Sequence, residues 1–153
     1  MMSLIAKINE DVKTAMKNHE KEKLNTIRML KSAIQLASIE KKHELSDEEV
    51  IDVLSKQIKM RKDSVAEFSK ANRIDLAEQY NREIDILMTY MPKQLEKEEV
   101  IVIIDEAFSK VNPTSEKQMG LIMKEVTPQV KGKFDMGEVS KIIKEKLSSL
   151  SND

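Results

Sequence analysis

Hydrophobic residues recur along most of this chain at steps of three and four, the spacing of one face of an α-helix. In the first half, this pattern predicts four helices, over residues 4–18, 21–41, 47–70 and 75–90. Ser46 and Glu49 form a capping-box pattern that marks the start of the third helix, since each side chain can satisfy a free amide there. The first half therefore indicates a four-helix bundle-like module.

The second half predicts three shorter helices. The first spans residues 97–109. The second begins at a capping box of Ser115 and Gln118 and is expected to end or bend at Thr127-Pro128, because the residue before a proline disfavours helix. Asp135 begins the third. Pro92 cannot continue a helix without losing a hydrogen bond, so it separates the halves. We expect an all-α protein with an N-terminal module over residues 1–92 and a C-terminal three-helix tail domain over residues 93–150.

Composition supports helix and narrows the chemistry. Charged residues make up 35% and aromatics 3% of the 153 residues, and there are only three glycines and three prolines. The absence of cysteine excludes disulfides, zinc-thiolate sites and cysteine nucleophiles. Charges begin too early at the N terminus for a signal peptide. The longest apolar run, residues 100–104, is far shorter than the roughly 20 residues of a membrane span. We expect a cytoplasmic protein that does not enter membranes.

No residue pattern indicates catalysis. The two histidines, His19 and His43, lie at predicted helix ends and not in a metal-binding spacing. The chain has no glycine-rich phosphate loop. Acidic clusters at residues 44–52 and 96–99 fall at predicted helix N termini, where carboxylates stabilise the helix dipole. We predict no catalytic residue, no metal and no cofactor.

Basic residues occur in patches although the net charge is −1. Lys56, Lys59 and Lys62 are three residues apart and, with Arg61, make a ridge on the third helix, while Arg28 and Lys31 add a pair on the second. Two interpretations stay open. The ridge is either a solvated face paired with acids on neighbouring helices, or a surface that follows a phosphate backbone and gains affinity from counterion release.

Three further features each have two interpretations. Arg73 either clamps a phosphate or carboxylate in forked geometry or pins the connection between the third and fourth helices through Asp75 or a backbone carbonyl. Lys131 and Lys133, around Gly132, are suited to holding a phosphate at the start of the last helix, although capping by Asp135 would compete. The methionines in the helical stripes are expected to be flexible core fillers rather than a binding groove. They are Met16, Met29, Met60, Met88, Met91, Met119 and Met123.

Several short motifs resemble the GatB/YqeY family, which is named for a free-standing bacterial protein and for the tail domain of the B subunit of the tRNA-dependent amidotransferase. They are RMLKSAI at residues 28–34, KMRKDS at 59–64, RIDLA at 73–77, YMPKQL at 90–95, MG at 119–120 and VKG at 130–132. One loop departs from the family pattern. Family members often read KGRADG there, whereas residues 131–136 read KGKFDM, and lysine in place of arginine loses forked phosphate recognition.

The resemblance implies a helical bundle with a helical tail domain that helps to hold tRNA while other domains perform the chemistry. The family label is carbon–nitrogen ligase with glutamine as amido donor. This chain has no kinase-like ATP site, amidase Ser/Lys set or cysteine, so we do not expect it to be a ligase alone.

The leading hypothesis is a non-catalytic, tRNA-associated accessory module. The alternative is a protein-interaction module that docks on an amidotransferase or aminoacyl-tRNA synthetase. The candidate phosphate contacts share a positive charge within the motifs or patches: Arg28, Lys31, Lys56, Lys59, Arg61, Lys62, Arg73, Lys124, Lys131 and Lys133.

Overall fold

A computed structural model describes residues 2–150, and within that range the regular structure is entirely helical, which confirms the all-α prediction. Seven α-helices are present in these residues. A single 3-10 turn, Glu116–Gln118, precedes α6. The helices are α1 Leu4–Lys17, α2 Lys21–Lys41, α3 Asp47–Lys70, α4 Ile74–Met88, α5 Lys97–Val111, α6 Met119–Val130 and α7 Met136–Leu150.

The chain divides into two compact units, Met1–Met91 and Pro92–Asp153. The division lies one residue before the predicted boundary at Pro92. Each unit has its own cluster of buried apolar side chains. That the two units fold independently stays a prediction.

In the first unit, all four helices contribute to one core. Ile8 of α1, Ile27 of α2, Leu54 of α3 and Leu87 of α4 are each at most 1% exposed. Burying such side chains contributes roughly 1.5–3 kcal/mol each relative to exposure. These four apolar positions therefore face inward, as the spacing predicts.

The connection from α2 to α3 is fixed by the capping box at Ser46. The Ser46 hydroxyl accepts from the Glu49 amide at 3.3 Å, and the Glu49 carboxylate accepts from the Ser46 amide at 3.0 Å. Lys41, in the last turn of α2, pairs with the same carboxylate at 2.9 Å. The backbone bond from Ser46, followed by the bond from Lys41, lowers the pKa of Glu49 to about 2. This carboxylate therefore joins the end of one helix to the start of the next.

In the second unit, α5, α6 and α7 enclose a core of Val100, Ile104, Ile122, Val126 and Ile143, each at most 1% exposed. Ion pairs at its surface connect α5 to its neighbours: Lys97 with Glu138 at 3.4 Å, Lys110 with Glu125 at 3.1 Å, and Lys146 with Asp105.

We expected α6 to end or bend at Thr127-Pro128. It does not end there, because the helix continues through Pro128 to Val130. Proline removes one hydrogen bond within a helix. Pro128 is exposed and only two residues from the end, whereas Val126 and Val130 on either side are fully buried. Burial of Val130 therefore holds the last turn in helical form.

Candidate nucleic-acid interface

Tyr90 is the first residue of the motif at residues 90–95. It attaches the segment after α4 to helix α1. Its side chain is 4% exposed, and its hydroxyl donates a hydrogen bond to the Asp11 carboxylate at 2.6 Å. The Lys7 ammonium lies 5.6 Å from the ring centroid. Burial, and secondly the hydrogen bond to Asp11, raises the pKa of Tyr90. This half of the motif stabilises the first unit.

Gln94 and Leu95, in the other half of the motif, fix the turn at residues 131–133. The Gln94 side-chain amide donates to the carbonyls of Pro92 and Gly132, both at 2.9 Å. The Leu95 amide donates to the Lys133 carbonyl at 2.8 Å. Gly132 has a φ of 76°, a left-handed conformation that glycine adopts without steric penalty. The turn that carries Lys131 and Lys133 is therefore held from the start of the second unit.

Three lysines recur at seven-residue intervals along α6 and the residues on either side of it. Lys124 shares an exposed face of α6 with Gly120 and Pro128, because residues four apart lie on one side of a helix. Lys117, in the turn before α6, and Lys131, directly after it, extend the row to both sides. We call this set the α6 face: Lys117, Gly120, Leu121, Lys124, Pro128 and Lys131.

The acids of the same segment are directed to other elements. Residues 112–134 contain four lysines and two glutamates, Glu116 and Glu125. The Glu116 carboxylate accepts a hydrogen bond from the Ser148 hydroxyl at 2.9 Å, and Glu125 pairs with Lys110 of α5 at 3.1 Å. Residues 112–134 therefore carry a formal surplus of two positive charges in a chain that is nearly neutral overall.

The sequence suggested a phosphate site at the N terminus of α7, but the amides there are not free to bind an anion. The Asp135 carboxylate accepts a hydrogen bond from the Gly137 amide at 3.0 Å and so occupies the start of the helix. A phosphate near Lys131 and Lys133 would meet the lysines of the turn rather than the free amides of α7.

Arg61 was a candidate phosphate contact, and the structure contradicts this because the side chain is buried. The Arg61 side chain is only 6% exposed, and its Nε donates to Glu83 of α4 at 3.1 Å. Its Nη1 donates to the side-chain oxygen of Gln57 at 3.0 Å, while Gln79 donates to the other Glu83 oxygen at 3.2 Å. A charge this buried requires such a partner. Arg61 therefore joins α3 to α4, and sequence spacing alone could not distinguish it from its exposed neighbours.

Arg73 is exposed, but its guanidinium is engaged within its own loop. Its Nε and Nη2 both lie 3.3 Å from the Asp75 carboxylate oxygens. The hydrogen bond to Asp75 raises the pKa of Arg73 and lowers that of Asp75. This geometry matches the interpretation in which Arg73 pins the connection from α3 to α4.

The remaining candidates of the first unit lie on different surfaces. Lys56, Lys59 and Lys62 are exposed on α3, where Lys59 pairs with Asp63 at 3.3 Å. Arg28 and Lys31 lie on α2, and the Arg28 guanidinium is 3.8 Å from the Met16 sulfur of α1. The contacts described for the basic ridge and for this pair are therefore with different residues.

The prediction that the methionines fill the cores is wrong for three of them. Met16, Met29 and Met60 are 51%, 55% and 61% exposed. Met88, Met91, Met119 and Met123 do pack against the two cores, as expected. Met29 and Met60 each lie two residues after a buried isoleucine, Ile27 or Ile58, which is about 200° around the helix, so the spacing does not put them on the buried stripe.

Two residues of this interface were not identified from the sequence. Lys117 has a visible signal, its seven-residue spacing from Lys124. Gln94 has none, since its partner Gly132 is 38 residues away in the chain.

Residues 2–150 contain no group of three or more His, Asp or Glu side chains arranged to hold a metal ion. In the same part of the chain, none of the helices combines the length and apolar character needed to cross a membrane.

An all-helical protein of two units with a basic face on the smaller one is the class that these observations define. A family model described as YqeY-like protein matches residues 5–147. The chain belongs to this family, which confirms the resemblance seen in its motifs.

Three similar curated proteins come from fungi. A Pyrenophora tritici-repentis protein named "Altered inheritance of mitochondria protein 41, mitochondrial" is 30% identical over 93% of this chain and 80% of its own length. A Kluyveromyces lactis protein of the same name is 42% identical over 56% of this chain and 47% of its own length. An uncharacterized Schizosaccharomyces pombe protein is 34% identical over 60% of this chain and 74% of its own length.

Proposed function

We propose that this protein is a non-catalytic, tRNA-associated accessory module that contacts the phosphate backbone through the α6 face and the turn at residues 131–133. The observation that carries this proposal is the row of Lys117, Lys124 and Lys131, together with the engagement of Glu116 and Glu125 elsewhere. The resemblance to a tRNA-holding tail domain supports the same surface. A cytoplasmic location stays a prediction, since two of the relatives are named as mitochondrial.

The geometry favours backbone contact over base recognition. Lysine is a point charge that contacts phosphate without forked geometry, so it contributes affinity rather than sequence specificity. The α6 face has no aromatic side chain on which a base would stack. Gly120 has no neighbour within 4 Å of the position a Cβ would occupy, so the space above the helix is open to a partner. We therefore expect weak, salt-sensitive binding with little preference among tRNAs.

The test is binding of the full chain to total tRNA over a salt series, with two variants of equal charge. Lys117→Gln/Lys124→Gln removes two exposed lysines of the α6 face. Lys97→Gln/Lys110→Gln is the matched control, because it removes two lysines of the same unit that pair with Glu138 and Glu125.

We expect the α6-face variant to lower the slope of log affinity against log salt by about 1.4–1.8, since each lost phosphate contact removes roughly 0.7–0.9. The control should change it by much less. Equal slopes for the two variants would assign the binding to general charge, and absence of binding by the parent chain at low salt would overturn the tRNA function.

A further inference from the structure

A groove of about 320 Å3 lies between α1 and α2 in the first unit. Its floor is apolar, since Ile8, Ile34 and Leu45 line it and are each at most 8% exposed. The α2–α3 connection closes one end. There the Ser38 hydroxyl donates to the His43 carbonyl at 2.7 Å, which holds the connection against α2. The groove is therefore a formed feature of the fold.

Polar side chains surround the apolar floor without partners of their own. Asn9 of α1, Lys31 and Gln35 of α2, and Glu44 of the connection line the groove and are exposed. Across residues 2–150, none of these four side chains forms a hydrogen bond or ion pair. An apolar cavity with a few convergent, unengaged polar groups is the usual form of a binding site.

The end of the groove near Arg28 and Lys31 is positive, whereas Glu44 lies at the end closed by the α2–α3 connection. Lys13 lies one turn after Asn9 and so shares its side of α1, while Arg28 and Lys31 lie on the facing side of α2. In the described residues, Glu44 is the only acid that lines the groove. Asp11 of α1 is directed to Tyr90 instead. A partner would therefore bring negative charge to the end formed by Arg28 and Lys31.

Exposed apolar side chains extend the groove at both ends. Met16, 51% exposed, lies beside Arg28 at one end, and Ile39, 66% exposed, lies one turn beyond Gln35 at the other. From Arg28 to Ile39, α2 rises about 16 Å, or three helical turns. This surface is longer than a small molecule would use and matches a short helix.

We propose that the groove between α1 and α2 docks an acidic amphipathic helix of a partner protein. Its apolar residues lie over the floor of Ile8, Ile34 and Leu45, and its carboxylates face Lys13, Arg28 and Lys31. A helix that lays its apolar side into a hydrophobic groove is a common mode of peptide recognition. The site is separate from the α6 face, so it does not depend on the proposed tRNA function.

A nucleic acid fits this groove less well. Phosphate contacts require cations but gain nothing from an apolar floor, and binding of unpaired bases depends on aromatic side chains. None of the residues lining the groove is aromatic. Arg28 and Lys31 are therefore assigned to a protein partner instead of tRNA.

The test uses the full chain and a designed probe. The probe is a fluorescein-labelled synthetic helix of about 16 residues, with leucines at three- and four-residue steps and glutamates beside them. A second peptide carries lysine at each glutamate position. The variant Lys31→Glu reverses a charge in the groove, and Lys56→Glu, on the exposed side of α3, is the matched control.

We expect the glutamate peptide to bind the parent chain and to shift the backbone amide resonances of α1 and α2. Lys31→Glu should weaken it about tenfold and strengthen the lysine peptide, as expected for a charge at the rim of an interface. Lys56→Glu should do neither.

Equal binding of the two peptides, equal effects of the two variants, or no shift in α1 and α2 would overturn the proposal. The groove would instead be a nucleic-acid surface if Lys31→Glu lowers the salt slope of tRNA binding while the peptide moves no resonance there. A failure of tRNA binding alone would affect only the α6 face.

Discussion

The two units of this protein bury different chemistry. In the first unit, Thr26, Arg61 and Glu83 are buried polar or charged residues, whereas the buried residues described in the second unit are apolar. The second unit keeps its charge pairs at the surface, where they join α5 to α6 and α7. Apolar packing alone thus suffices for three short helices, while the pairing of α3 with α4 also depends on a buried ionic network.

The two units also present positive charge differently. On the α6 face the lysines flank glycine, proline and one leucine, a largely flat polar surface. In the first unit, Lys31 and Arg28 border an apolar groove. The α6 face suits a polyanion, and the groove suits an acidic helix. A net charge near zero is therefore compatible with two different basic surfaces.

The largest expected effect comes from removing one partner of the buried pair. Arg61→Met leaves the Glu83 carboxylate buried without its cation, and we expect the free energy of unfolding of the first unit to fall by about 3–5 kcal/mol. Both tyrosines lie in the first unit, at positions 80 and 90, so tyrosine fluorescence during urea unfolding reports on it alone. Amide resonances of α5–α7 report on the second unit.

Two variants sharpen this result. Arg61→Met/Glu83→Leu removes both charges, and most of the lost stability should return because no unpaired charge remains. Lys59→Met breaks an exposed pair on the same helix, where 77% of the lysine side chain is accessible, and should change stability by less than about 1 kcal/mol. If Arg61→Met unfolds the second unit equally, the two units do not fold independently.

The second largest expected effect on stability comes from Tyr90, whose hydrogen bond to Asp11 lies within the first unit. Tyr90→Phe removes the hydrogen bond to Asp11 and should lower stability at neutral pH by about 1.5 kcal/mol. The pKa of Tyr90 is raised in the folded protein, so the folded state holds its proton where the unfolded state has lost it. The stabilisation is therefore complete below about pH 10, the unfolded value, and declines as the pH rises above it.

The measurement is urea unfolding of the parent chain and Tyr90→Phe between neutral and alkaline pH. The difference between them should shrink above pH 10. Tyr80→Phe is the control: Tyr80 packs edge-on against Phe68 at 5.2 Å between centroids, and its hydroxyl forms no hydrogen bond in the described residues. A constant difference would mean that the bond to Asp11 does not control ionisation.

Helix positions were predictable from the sequence, but the network partners were not. The apolar spacing located α2 at residues 21–41, and the capping box at Ser46 located the start of α3, because both signals are local. Arg61 was assigned to the basic ridge since it lies between Lys59 and Lys62 in the sequence. Its burial depends on Glu83, which is 22 residues away on another helix.

For the candidate site, the sequence likewise located the charged residues but not their partners. Lys124 and Lys131 were identified as cations, but that Glu116 and Glu125 are directed elsewhere depends on tertiary contacts with Ser148 and Lys110. Sequence spacing therefore finds charges but not which of them are already paired.

A smaller effect tests the turn of the second unit. Gln94→Ala removes the hydrogen bond to the Gly132 carbonyl and should lower the stability of the second unit by about 1 kcal/mol. It should also weaken tRNA binding, because the turn carries Lys131 and Lys133. Gln129→Ala is the control, since the Gln129 side chain bonds only to the Glu125 carbonyl within α6. Unchanged amide resonances at residues 131–133 would contradict this role of Gln94.

The smallest effect compares the capping boxes of the two units. Glu49 accepts the Ser46 amide and also pairs with Lys41, whereas Glu99 at the start of α5 accepts the Glu96 amide with no described ion pair. The folded pKa of Glu49, about 2, lies below its ordinary value of 4.5. The stabilisation is therefore present above about pH 4.5 and is lost as the pH falls towards 2.

We expect hydrogen exchange at the Ser46 amide, which donates to the Glu49 carboxylate, to lose protection through this pH window after correction for the intrinsic rate. In Glu49→Ala, which removes the acceptor, that protection should be low at neutral pH and nearly independent of acid, while Glu48→Ala, one residue earlier and exposed, should behave like the parent. The start of α5 serves as the internal reference. If it loses protection in parallel with α3, acid acts on both caps alike and Lys41 does not distinguish them.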